Sequence, residues 1–183
     1  DITADTTWTQ INSPYIVTVP ISIVTGVTLN IEPGVIVKFN ALASGSNPST
    51  LSVFGKIIAE GTAENKIYLT SFWDDSIGGD TNGDGNATIS DPYTFYGYWN
   101  GVRFISAEGE QSLKNVVLSY AIVGLSFDNS TGIINGLEAN FNNGDLSVYN
   151  NSSVSVNKLK SENSFGSVYN NAANLILNNS IIE

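Results

Sequence analysis

A repeat in the C-terminal half is the feature that most restricts how this chain can fold. Asn115, Asn135, Asn157 and Asn178 recur at intervals of 20, 22 and 21 residues, and each opens a similar segment: NVVLSY, NGLEAN, NKLKSE and NNSIIE. A second strip runs between them, with Ser126-Phe127, Ser147-Val148 and Ser167-Val168 at corresponding places. A unit of about 20 residues cannot enclose a core alone and must bury its apolar face against its neighbours, which is the condition for a solenoid. Leucine-rich repeats share that period but need a denser leucine pattern than this chain offers.

The local texture says what each unit contains. Val27, Leu29 and Ile31 alternate with Thr28 and Asn30; after the turn Glu32-Pro33-Gly34, Val35, Val37 and Phe39 alternate with Ile36 and Lys38. Similar bursts are Leu51-Ser52-Val53, Ile67-Tyr68-Leu69, Val102-Arg103-Phe104, Val154-Ser155-Val156 and Leu175-Ile176-Leu177. Alternation with period 2 places one side of a strand in a core and leaves the other wet. No stretch carries a helical period with caps, so the chain reads as all-β, and short strands in a 20–22-residue unit suit a parallel β-helix. Its aligned asparagines are expected to hydrogen-bond along the stack. Tyr149 and Tyr169 are expected to form a similar aromatic ladder.

A single domain over residues 1–183 is expected, with a cap and first strands at 1–26, an insertion at 73–98 and regular coils from 99 to 183. Trp8, Tyr15 and the strand Ile16 to Val19 are read as a lid on the first coil, because an open strand edge invites association. The repeat is interrupted at Glu183, which suggests a piece of a longer chain or a last coil covered by a partner.

The insertion holds the sharpest motif, DTNGDGNATISD at 80–91. Against the EF-hand pattern, Asp80, Asn82 and Asp84 stand at positions 1, 3 and 5, Gly85 at the sharp turn, and Asp91 at position 12. Asn86 offers a backbone carbonyl and Thr88 a direct or water-mediated oxygen. Oxygen donors at alternate positions let a short segment wrap a hard cation, and calcium suits a ligand-rich flexible loop better than magnesium. Asp91 is shorter than the usual bidentate Glu, and Asp74 and Asp75 just upstream are candidates to complete the shell. The loop is similar to those of dockerins, which likewise end in Asp.

A wider resemblance rests on TTWTQINSPYIVTVPISIVTGVTLNIEPGVIVKF, LSVFGKIIAEGTAENKIYLTS, DDSIGGDTNGDG and YWNGVRF, in that order over roughly residues 5 to 125. This sequence resembles the right-handed parallel β-helix repeat domains of large bacterial cell-surface proteins. The resemblance implies a right-handed β-helix, export to the cell surface and a calcium loop inserted between coils. It implies no particular activity, because this fold hosts enzymes and passive modules alike.

Charge and composition narrow the function. A net charge of −10 with seven basic residues, Arg103 the sole arginine, argues against nucleic acid, which needs clustered cations. No apolar run approaches the ~18 residues that span a bilayer. The chain has no His and no Cys, which removes triads, thiol nucleophiles and imidazole-bound zinc. One enzymatic route left is a calcium-assisted polysaccharide lyase with Arg103 as base, although Arg103 reads more simply as decoration of an outer face. The other is a carboxylate-pair glycosidase, for which Asp128, Glu138 and Asp145 select no pair. Trp73, Tyr93, Phe95, Tyr96, Tyr98 and Trp99 surround the loop. They suit either a sugar-binding face or, as favoured here, packing of the insertion onto the strands. The expectation is therefore an extracellular structural or adhesive module stabilised by calcium. Its partners would be a polysaccharide, another surface protein or an adjacent domain, and catalysis is not assigned.

Overall fold

Strand follows strand with inward apolar residues at every second position, and the chain brings them back to the same places at each pass. The computed structural model describes residues 1–41, 47–85 and 97–182. The first pass lays down β1 (Thr6–Trp8), β2 (Tyr15–Val17) and β3 (Ile21–Ile23). The second adds β4 (Thr28–Ile31), β5 (Ile36–Phe39) and β6 (Leu51–Val53), and the third β7 (Lys56–Glu60), β8 (Ile67–Ser71) and β9 (Val102–Ile105). From there each pass is one long and one shorter strand: β10 (Glu110–Ser119) with β11 (Val123–Asp128), β12 (Thr131–Asn140) with β13 (Gly144–Tyr149), and β14 (Ser153–Glu162) with β15 (Gly166–Asn171). The short β16 (Asn174–Asn178) and β17 (Ile181–Ile182) complete the order.

The protein is all-β, and the pairings between these strands are parallel. Among the described residues they form an 11-stranded sheet and a 6-stranded sheet. The larger one curls, because β10 pairs with β7 through its first half and with β8 through its second. The bend sits at Asn115, whose φ is 47°, and recurs at Gly136 (79°) and Lys158 (63°). Left-handed backbone at one aligned position turns a single strand through the corner that β7 and β8 reach with a loop. Among the described residues no helix is long and apolar enough to cross a membrane.

Register builds the core. Trp8, Ile31, Ala59, Leu113, Ile134, Val156 and Leu177 follow one another across the larger sheet, and Ile23, Val53, Phe104, Phe127 and Val148 across the smaller. Phe104 and Phe127 stack with centroids 4.2 Å apart. Each fully buried Leu, Ile or Phe contributes about 1.5–3 kcal/mol of transfer free energy, so the columns dominate the favourable side of folding.

Three expectations shift by a step. Asn135, Asn157 and Asn178 are in register, and the amide of Asn157 donates to Asn135 Oδ1 at 3.4 Å. Lys114, not Asn115, is the residue opposite Asn135; Asn115 takes the corner and donates to the Gly61 carbonyl at 3.0 Å. Ser126 and Ser147 align, but opposite Ser147 stands Tyr169, so Ser167-Val168 is displaced by one. Tyr149 and Tyr169 consequently meet diagonally, 5.5 Å apart and tilted by 46°. At the N-terminus β1, β2 and β3 fall within the expected first strands and pair in register with the second pass, and Trp8 stacks on Tyr15 at 5.1 Å.

Candidate metal centre

The chain leaves the sheet at the end of β8. Asp74 makes the exit turn: it is buried, its Oδ2 accepts from Thr70 Oγ at 2.6 Å, and its Oδ1 accepts from the Ser76 N–H at 3.0 Å and hydroxyl at 2.5 Å. These bonds turn its carboxylate toward the strand. Beyond it the loop lies down on β5. Gly78, at φ 72°, sits where a Cβ would lie 3.4 Å from both Ile36 and Lys38, so the backbone can settle on those side chains.

Lys38 points outward from β5 and would be wet if the loop were absent. The loop buries it completely, and its Nζ donates to the Gly79 carbonyl at 2.6 Å. Burial lowers the pKa of this ammonium, while Asp75, Asp74 and Asp80 pull it back up. The cation thus pins the excursion to the sheet and sits among its carboxylates.

Past Gly79 the backbone curls around Asp80. Its carboxylate accepts from the Gly83 N–H at 2.6 Å and the Gly85 N–H at 3.1 Å, and these donors hold its pKa below the usual carboxylate value. Asn82 accepts from the Asp84 N–H at 3.0 Å and donates to Asp84 Oδ2 at 2.9 Å. Asp75, Asp80 and Asp84 each turn an oxygen to one point, all within 4.8 Å of one another. Burial raises the pKa of Asp75, aided by a hydrogen bond to Asp84 and by the charges of Asp84 and Asp80. A shared proton relieves the repulsion between two such carboxyls, and a divalent cation at the same point relieves it for all three.

Of the residues expected to bind metal, Asp75, Asp80 and Asp84 are brought together, with Asn82 bridging to Asp84. Asp74 is not part of that group. Asn86, Thr88 and Asp91 lie outside the described residues. Sequence reasoning missed Lys38, since a lone Lys at an alternating strand position reads as solvent-facing; its burial depends on a loop some forty residues away.

The remaining candidates separate. Trp99 is fully buried and stacks on Phe39 at 4.0 Å, which corrects any reading of it as a sugar platform; Tyr98 is buried beside it, edge-on to Tyr120. Tyr93, Phe95 and Tyr96 lie outside the described residues. Glu138 pairs with Lys66 at 2.6 Å. Asp145 is buried, accepting from Asn142 Nδ2 at 2.9 Å, Ser164 Oγ at 2.8 Å and Ser161 Oγ at 2.5 Å. Burial raises its pKa in spite of those donors. Arg103 is exposed on β9. Comparisons with protein-family models, curated proteins and solved structures returned no match.

Proposed function

We propose that this chain is a right-handed parallel β-helix serving as a calcium-stabilised structural and adhesive module on the outside of a bacterial cell. The solenoid reading draws support from parallel, in-register pairing in which Leu113, Ile134, Val156 and Leu177 succeed one another at near-constant chain spacing. Right-handedness follows from the strong preference of parallel crossovers for that hand. The surface location rests on the resemblance to cell-surface repeat domains.

The observation that carries the calcium reading is the convergence of Asp75, Asp80 and Asp84 in an excursion that Lys38 fastens to the sheet. Calcium takes six to eight oxygens, for which three carboxylates, the Asn82 amide and water are suitable donors. With this arrangement the ion orders an acidic insertion, and its role is that of a staple.

Thermal unfolding in chelator and in millimolar calcium tests the reading. A metal at about 100 times its Kd adds ~2.7 kcal/mol, so Tm is expected to rise by about 5–10 °C, and Asp80→Asn should abolish most of the rise. A Tm indifferent to calcium up to millimolar concentration would refute the site. Protease treatment of intact source cells tests the location: cleavage of the chain is expected, and full protection that is lost on lysis counts against an outer-surface position.

A further inference from the structure

The outer face of the smaller sheet holds a second feature, away from the acidic loop. Register sets Arg103 beside Ser126 and Ser147 in one outward row, and Ile105 beside Asp128 and Tyr149 in the next, at steps of about 4.8 Å. A groove of about 500 Å³ is lined by Arg103 and Ser126 of the first row and by Ile105, Asp128 and Tyr149 of the second, and is bounded further by Asn100. Arg103 is exposed there. Among the described residues it has no hydrogen-bond or ion-pair partner, although Asp128 lines the same groove. Asp128 is instead held by the amide of Asn150.

We propose that this groove binds an acidic oligosaccharide, with the Arg103 guanidinium receiving a uronate carboxylate. The planar fork of arginine matches a carboxylate with two parallel hydrogen bonds. Ser126, Asn100 and Asp128 supply both donors and acceptors, as ring hydroxyls require. The ring of Tyr149 and the side chain of Ile105 give an apolar strip for the carbon face of a pyranose. Other anionic polymers fit less well. A nucleic acid needs several cations, and this groove has one. An extended peptide would add to a sheet edge, whereas this is a sheet face whose strands are already paired. The inference does not depend on the metal site.

Isothermal titration at fixed calcium, with a short oligogalacturonate and a neutral oligosaccharide of equal length, provides the test. Binding of the uronate with clear preference over the neutral sugar is expected. Arg103→Gln should weaken it about 10- to 100-fold, the loss of one charge-assisted contact. Tyr149→Ala should weaken it less, while Lys114→Gln, which removes an exposed charge on the other sheet, should leave it within about twofold. The proposal is overturned if the uronate does not bind at millimolar concentration, if the neutral sugar binds equally well, or if Arg103→Gln and Lys114→Gln behave alike.

Discussion

The passes before the acidic excursion and those after it share a strand plan and little else. Before it, corners are loops of varied length: Ile21 faces Leu51, and Leu51 faces Val102, with the whole excursion between β8 and β9. After it, ten-residue strands take one corner without interruption, bending at Asn115, Gly136 and Lys158. The interiors differ as well. Near Trp99 a corner is filled by its stack on Phe39, whereas two passes later Asn142, Asp145, Ser161 and Ser164 fill the equivalent region with hydrogen bonds. Inward columns therefore set the register, and corners are free to vary. Doubling a corner loop costs only about 0.6 kcal/mol in closure entropy, little against the burial of one more inward side chain.

The sharpest way to break this contrast is at the junction of the two regions. Gly101 has φ 92°, and a Cβ there would lie 1.7 Å from the Val123 carbonyl oxygen. Gly101→Ala is expected to cost more than about 4 kcal/mol, read as loss of cooperative unfolding or of soluble protein. Normal folding of the variant would mean that the junction adapts as freely as the other corners.

Lys38 tests whether the excursion is docked on the early passes or merely tethered to them. Lys38→Met leaves the Gly79 carbonyl without its donor and the carboxylates without their internal cation. A loss of about 1–3 kcal/mol is expected in chelator, with a smaller loss in calcium, both measured by urea unfolding. Equal losses in the two conditions would separate the lysine from the proposed calcium site.

Asp145 gives the smallest effect, and its sign is specific to the later passes. Burial raises its pKa above the ordinary 3.8, so the folded state holds its proton more tightly than the unfolded chain. The contribution of this group to stability is most favourable below 3.8, declines as pH rises from there to the raised folded value, and stays low above it. Asp145→Asn removes that dependence. The Tm of the variant relative to the parent should improve as pH rises from below 3.8 to neutral, by a few degrees at most. A constant difference across that range would mean the carboxylate titrates as it does in water.

How much could be read in advance depended on the range of each interaction. Alternation in VTLNI and VIVKF is local, and it placed Leu29, Ile31, Val37 and Phe39 inward as observed. The spacing of Asn135, Asn157 and Asn178 gave the stacking period, because a uniform corner imposes a uniform chain length. Asn115 misled by one residue, since at Asn115 the asparagine serves the left-handed bend and at the later three it faces its neighbours across strands. Asp80, Asn82 and Asp84 were recognisable because their hydrogen bonds close within a few residues.

By itself, then, the sequence determined the all-β character, the repeat length, most inward positions and the acidic turn, all consequences of side-chain alternation and short-range backbone geometry. Tertiary structure decided the rest. It drew Asp75 rather than Asp74 to Asp80 and Asp84, covered Lys38, buried Trp99 against Phe39 and set Arg103 across from Ser126 over a groove. Each of those contacts joins residues on different passes or on opposite sides of a loop. Their geometry comes from the stacking of layers, which no local pattern encodes.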